Sequence, residues 1–594
     1  MPIDPVRASA PIYLADLDRC QPSSAISRKG TLFSWRLIDY EADGFNGVSL
    51  RAGAETAAAE AAYPLQVEGW HDIYFGLFNT AWRPYLGQRI WTRLDTDPGF
   101  SLLYLPPPEV DPGQVAQDVF WKTADLSGRQ ISFKQLCQER VPRGETSRST
   151  CENAWIIYIK LVPLTEEEVA ALEADRLRTD TRCLVATQDG GTGMLPDSDP
   201  DSIRDLIEGY RNTDFGRIYW EAACGDLCNY YTEIGRIETT KHIKLDDYPL
   251  FEYRRKVENW TEYAQQGIDP LQIAVGHAHE LGMEFYASYR FAEGMGPFHF
   301  SPPFEEVNQG GFLECHPELR AIRRDGSPAP RTSLSYTEAR QYLVSLFREM
   351  ASYPVDGICP LFNRRPPYVE YEPPLVESFQ EEYGEDPRRL DEKDPRWLRH
   401  RAQVMSDFIR DLRRMLDEVA QEQGRSKKLS VWVFGSQDEN LYWGLDVETW
   451  IKEGLIDTVV PYTSAEGLYS WELAWENPSD VEYWLSLTRD TKCQLSLDIM
   501  PRHLTPEQYH RKAHQLFSLG VESLTFWDSA KIWGPEFDVH SSFHHGHGTE
   551  LQYLKRLGHR GELDAWVEAG EPQLALSTTQ LKKMGDWEMT FITE

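Results

Sequence analysis

Two rhythms of apolar and polar positions divide the chain. Between about residues 30 and 162, short β-like runs recur between Gly, Pro and Asp: 31–38, 70–78, 89–94, 101–105, 119–122, 129–133 and 154–162. Runs of this length with turn residues between them, and no convincing amphipathic helix, predict a β-sandwich. It ends at Leu164, where Thr165-Glu166-Glu167-Glu168 reads as a capping box opening a short acidic linker helix over 166–177. Beyond Arg182 the pattern becomes strand, loop, helix, repeated. Eight candidate strands (183–187, 217–221, 284–289, 357–361, 429–434, 458–462, 494–498, 523–527) alternate with helical stretches such as 201–210, 270–280, 336–351, 396–423, 446–453, 480–488 and 506–519. Such alternation predicts a parallel sheet with crossover helices, here an α/β chain with a (β/α)8 TIM barrel behind an all-β sandwich. An open doubly wound sheet is the alternative, but no G-x-G-x-x-G turn follows the first strand, and Asp189-Gly190-Gly191-Thr192-Gly193 lacks the lysine of a phosphate loop. The expected organisation is a sandwich over 1–164, a helical linker over 165–182, a barrel over 183–535 and a C-terminal extension over 536–594 packing on one or the other. That extension holds a helix over 551–569 and a last β-like stretch over 587–593.

Charge narrows the class of function. The 594 residues carry 61 Lys and Arg against 94 Asp and Glu, a formal charge of −33, which argues against nucleic-acid binding and against a polybasic membrane patch. No apolar run is long enough to span a bilayer. Met1-Pro2-Ile3-Asp4 has neither a basic nor an apolar leader region, so the chain as it stands is expected in the cytoplasm, or in a secreted or periplasmic setting had a signal been removed. Nine scattered cysteines suit free thiols better than a disulfide framework. Aromatic residues make up 12%, with 19 Trp and 28 Tyr; most must fill cores, yet rings also stack on the apolar faces of sugars.

In a TIM barrel the active site lies at the C-terminal ends of the strands, so its candidate side chains can be read off in order. They are Asp189 after the first strand, Glu221 and Asp226 after the second, Arg290 and Glu293 after the third, and Asn363, Arg364 and Arg365 after the fourth. The fifth offers Gln437, Asp438 and Glu439, the sixth Tyr462 and Glu466, the seventh Asp498 and Arg502, and the eighth Asp528 and Lys531. Many carboxylates converge, as glycoside hydrolysis requires: one protonates the leaving oxygen and another attacks the anomeric carbon or activates water. Asp498, Glu221, Asp438 and Glu439 are the candidates for acid and for base or nucleophile. The bland alternative is that a strand-end Asp caps the next helix or pairs with an arginine. Asp226 reads as a residue fixing its loop. Arg290 and Arg364 either satisfy structural carboxylates or, facing the pocket, suit a uronic or sulfated glycan. Tyr286, Tyr289, Trp432, Trp443, Tyr462 and Trp527 are candidates for sugar stacking, with barrel core as the competing role. With Asp226, Arg290, Asn363, Arg364, Arg502 and Asp528, the rings of Trp443, Tyr462 and Trp527 form the expected substrate contacts. No cofactor and no metal is expected, since the tail cluster His540, His544, His545 and His547 has no nearby Cys and no helical H-E-x-x-H register.

The order of motifs resembles the glycosyl-hydrolase-like family 10 group of TIM-barrel glycoside hydrolases. Tyr219-Trp220-Glu221-Ala222-Ala223-Cys224-Gly225-Asp226 is similar to that group's V-R-P-x-G-D-A, with Glu221 where it has Gln and Asp226 matching its Asp. His316-Pro317-Glu318 before Asp325-Gly326, Val355-Asp356-Gly357-Ile358, and Phe379 through Tyr383-Gly384-Glu385-Asp386-Pro387 follow its H-P-E-W, D-G, V-D-G-I and F-x-x-x-Y-G-x-D-P. Leu429-Ser430-Val431 and Trp450 through Pro461 resemble its fifth and sixth strands. The resemblance covers about residues 183–535 and implies a barrel that cleaves glycans. One departure stands out: where the group has H-F-D-D-Y after V-D-G-I, this chain has Cys359-Pro360-Leu361-Phe362-Asn363-Arg364-Arg365, with both carboxylates gone. The function this predicts is hydrolysis of O-glycosidic bonds in an oligo- or polysaccharide, including an acidic one. A non-catalytic barrel binding glycans or a protein is the first alternative and a carbohydrate lyase the second. The expected partner is the carbohydrate substrate, with homo-oligomers allowed.

Overall fold

The computed structural model describes residues 9–53, 56, 58–79, 88–105, 113–135, 153–188, 198–237, 251–291, 311–363, 366–463, 474–499, 504–527, 554–574 and 576–585. Eight parallel strands form a barrel, numbered here β1 (Leu184–Gln188), β2 (Phe215–Cys224), β3 (Glu284–Arg290), β4 (Gly357–Leu361), β5 (Lys428–Phe434), β6 (Thr458–Tyr462), β7 (Gln494–Asp498) and β8 (Ser523–Phe526). β1 pairs with both β2 and β8, which closes the sheet. Every residue of β1, β4 and β6 is buried. Parallel strands covered by helices outside and side chains inside read this way, which is why short apolar runs mark them in the sequence.

The helices outside start where the chain tells them to. Pro200–Glu208, Pro270–Glu280, Pro395–Gln423, Pro478–Thr488 and Pro506–Ser518 each place a proline in the first turn behind a capping Asp199, Asp269, Asp394, Asn477 or Thr505. The cap accepts an orphan backbone N–H, and proline brings a helical φ at a position where no donor is needed. Gly384 and Gly424 then end two helices in the left-handed conformation. Inside, the end of the barrel away from the strand C-termini is polar. Arg217 is ion-paired to Glu284, which also receives Lys428, and donates to Thr458 and Gln494 across the bore.

The N-terminal β region is two sheets packed face to face. An eight-stranded sheet contains Trp35–Ala42, Asn46–Ala52, Trp70–Asn79, Val115–Asp125 and Ala154–Pro163; a four-stranded sheet contains Ala61–Pro64, Gln130–Lys134, Gln88–Leu94 and Ser101–Leu105. Phe75, Leu77, Leu50 and Ile156 of the first pack with Ile90, Leu103, Ile131 and Phe133 of the second in one core. The larger sheet also curls until Ala154–Pro163 meets Trp70–Asn79, enclosing a second core around Tyr40, Trp155, Tyr158 and Leu581. Leu581 belongs to a strand absent from the sequence reading, Thr578–Met584, which fits between Trp35–Ala42 and Val115–Asp125. The β-like stretch expected at 587–593 lies outside the described residues.

The acidic helix Glu166–Arg176 follows, with both bonds of its capping box formed. Residues 554–559 then staple it to the rest. Asp214, just before β2, donates its backbone N–H to the Lys555 carbonyl, and Lys555 Nζ donates to the Trp121 carbonyl of the sandwich. His559 lies between Asp214 and Asp175 of the acidic helix, at 2.8 and 2.9 Å, and Arg556 pairs with Asp175 as well. Sandwich and barrel also meet directly where Asp205 takes the Phe100 N–H and the Lys134 ammonium.

Candidate active site

Alternate residues of a barrel strand face the bore. Tyr219 bonds to Ser430 across it at 2.6 Å, which places Glu221 on β2, and Trp432 and Phe434 on β5, on the inner face one step nearer the C-terminal end. Glu221 is nearly buried and ion-paired with Arg290 at the end of β3, with N and O 2.7 Å apart. The Arg290 guanidinium lies over the Trp527 ring at 5.7 Å. Trp527 packs edge-on against Trp432 at 4.9 Å and against Tyr462 at 5.9 Å. Asp498 ends β7 fully buried, opposite Thr525 of β8 in the register. Glu221, Arg290, Trp432, Tyr462, Asp498 and Trp527 thus share the inner face at one end of the bore.

Two features near this layer were not legible in the sequence. Trp475, in the segment after β6, donates its indole N–H to the Asp498 carbonyl at 2.8 Å. It does so from a left-handed backbone, φ 60°, uncommon for a residue with a bulky side chain, so local strain is held at the end of β7. Asn440, in the short helix Gln437–Tyr442, folds its amide back onto the backbone of Phe434 and anchors that helix to β5. A tryptophan among many carries no sign of either conformation or partner.

The other candidates take different places. Asp438 and Glu439 do not join the Glu221 layer. They occupy the first turn of Gln437–Tyr442 behind the Ser436 cap, where carboxylates complement the helix dipole. Asp438 is exposed, and its charge is felt by Tyr483 on the outer helix ring. Asp226 is the loop-fixing residue: it pairs with Arg236 at 2.9 Å and accepts the Phe312 N–H. Of the six stacking candidates, Tyr286, Tyr289, Trp432, Tyr462 and Trp527 are buried side chains of the barrel: the last three pack on one another, Tyr286 packs on Tyr219 and Tyr289 on Phe291 and Phe347, and Trp443 is the half-buried one. Arg290 is engaged by Glu221. Arg364, Arg502 and Asp528 lie outside the described residues, as do Asp189, Glu293, Arg365, Glu466, Lys531 and the tail histidines.

Among the described residues no group of three His, Cys, Asp or Glu could hold a metal ion, and no helix is long and apolar enough to cross a membrane. No family model matches the chain, and no curated protein matches it. Solved structures similar to it include the catalytic domain of a β-amylase from Paenibacillus polymyxa, at 10% identity and TM-score 0.38, over 58% of this chain and 92% of that one. A β-galactosidase from the psychrophilic Marinomonas ef1 is similar at 11% identity and TM-score 0.39, over 66% and 61%. The CBM22-1 and GH10 modules of a Clostridium thermocellum endo-1,4-β-D-xylanase, solved with xylohexaose, are similar at 11% identity and TM-score 0.31, over 91% and 96%. All three are carbohydrate-cleaving enzymes by name.

Proposed function

We propose that this barrel hydrolyses O-glycosidic bonds, with Asp498 as the proton donor and Glu221 as its anionic partner. The observation carrying this reading is the placement of carboxylates from β2 and β7 on the inner face at the C-terminal end of the bore, one of them bound to an arginine. A carboxylate beside a guanidinium suits the part that stays negative, attacking the anomeric carbon, activating water or steadying the oxocarbenium-like transition state. Asp498 is then left to protonate the departing oxygen. Buried donors and charges set in place before substrate arrives cost no reorganisation during the reaction. The backbone of Asp498 is fixed by Trp475 and by the Ile499 N–H bonded to the Thr525 carbonyl, so its carboxyl starts from a rigid strand end.

With Arg290 committed to Glu221, the idea of a uronic or sulfated substrate rests on Arg364 and Arg365. The second reading, a barrel that binds glycans without cleaving them, draws support from Leu361 and Phe362 standing where the resembling group keeps its two acids and from the pairing of Glu221. Glu221→Gln and Asp498→Asn, assayed singly for reducing-end release on a polysaccharide panel, test the proposal. Each is expected to lose about 100-fold or more in kcat/KM. Unchanged cleavage by both variants would sink the assignment of residues, binding without cleavage by the parent would favour the second reading, and unsaturated products would favour a lyase.

A further inference from the structure

Asn363 follows β4 by two residues and is only 1% exposed, yet neither its amide nitrogen nor its amide oxygen has a hydrogen-bond partner among the described residues. Asn440, equally buried just beyond β5, shows what such an amide ordinarily does: it bonds to the N–H and C=O of Phe434 and to the Ser436 carbonyl, all within 2.9 Å. Asn363 does not lack partners through disorder of its backbone. Phe362 beside it donates its N–H to the Trp432 carbonyl, accepts the Tyr368 hydroxyl and stacks on Phe291 at 5.0 Å. The register places Leu361 opposite Trp432, and Asn363 follows two residues later in the turn at the C-terminal end of β4. The indole N–H of Trp432 is itself buried and has no hydrogen-bond partner among the described residues. A buried polar group left unmade is costly, and a held backbone carrying one such group just beyond β4 and another on the neighbouring β5 is a site built for something else to complete.

Resting on the glycoside-hydrolase reading, we propose that Asn363, at the C-terminal end of β4, is the substrate-recognition residue of this site and reads sugar hydroxyls. An amide offers one acceptor and two donors, so it matches a hydroxyl that both gives and takes a hydrogen bond, or two neighbouring hydroxyls of one pyranose. A site of this kind rejects a sugar lacking that hydroxyl, because the amide is then left buried and unpaired. It also sets stability against function at one position: the residue that recognises substrate is one the empty fold would be better without.

Asn363→Leu, isosteric and apolar, tests this. The variant's melting temperature is expected to rise by about 1–3 °C, while kcat/KM on a panel of xylan, β-glucan, mannan, galactan and polygalacturonate falls about 10-fold or more through KM and kcat together. Asn363→Ala gives the same kinetic loss and keeps the test open if the leucine variant misfolds; Asn440→Leu, the internal control, lowers the melting temperature. A fall in melting temperature for Asn363→Leu comparable to that of Asn440→Leu would overturn the inference, since the amide would then be a structural one. So would a rise with kcat/KM unchanged, which would leave the hydrolase reading standing. A parent that cleaves no member of the panel, indistinguishable from Glu221→Gln, contradicts the hydrolase reading instead, and the recognition role falls with it.

Discussion

Replacing His559 by phenylalanine should loosen the junction of sandwich, linker helix and barrel. The imidazole is almost wholly buried, with Nδ1 on Asp214 and Nε2 on Asp175, and Asp214 keeps only the Gly558 N–H when the ring is gone. Two hydrogen bonds to charged groups are worth about 1.5–3 kcal/mol each, and the quarter-exposed Asp175, which retains Arg556, is the weaker of the two. The net cost is about 3 kcal/mol, a drop of roughly 2–3 °C in melting temperature for a chain of 594 residues. The pH dependence is the sharper signature. Burial alone would lower the pKa of His559, but the bond and charge of Asp214, joined by Asp175, hold it above the ordinary imidazole value. A raised histidine stabilises fully below its unfolded value, about 6.5, and loses that contribution as pH rises through the folded value. Burial raises Asp214, which works in the same direction, while Arg556 and His559 outweigh burial to lower Asp175, whose contribution is lost only in acid. The clasp is therefore tightest near pH 4 and weakens as pH rises, first through Asp214 and then, above about 6.5, through His559. Scanning calorimetry from about pH 5.5 to 8.5 should show the parent losing stability faster than His559→Phe. Parallel curves, or a variant within about 1 °C of the parent throughout, would refute the reasoning.

Arg290→Met removes the guanidinium from a Glu221 side chain that is 9% exposed and should cost about 3 kcal/mol; adding Glu221→Gln should recover much of it, which a double-mutant cycle by urea denaturation will show. Gly558→Ala should abolish folding or the junction, because a Cβ there would lie 1.9 Å from the Thr181 carbonyl oxygen; limited proteolysis near residue 177 reads this directly. Asp438→Asn should leave activity unchanged and shift stability by no more than about 0.5 kcal/mol, in contrast to the strand-end acids.

The barrel was legible because its physics is local. Strands buried on both faces show as apolar runs, and Asp-Pro, Asn-Pro or Thr-Pro pairs announce the helices between them. Where burial is one-sided or partial the signal fades. Thr578–Met584 buries only Leu581, Asn46–Ala52 is broken by Gly47, Ser49 and Arg51, and Gln437–Tyr442 is too short to show a helical period, so all three were passed over. At the site, strand ends could be enumerated from the sequence, which is how Glu221, Arg290 and Asp498 were found. What could not be read is pairing across strands. Nothing in the spacing of Glu221 and Arg290 says that one takes the other, nothing in Trp475 reveals a left-handed backbone, and buried Asn363 and Asn440 look alike until their partners are seen.

The most direct test of the account is to incubate the protein with the polysaccharide panel in water enriched in heavy oxygen and follow the products by mass spectrometry. Hydrolysis through Asp498 and Glu221 predicts one heavy oxygen at each new reducing end and none formed by Asp498→Asn. Products without heavy oxygen, or the same labelled products from Asp498→Asn, would contradict it.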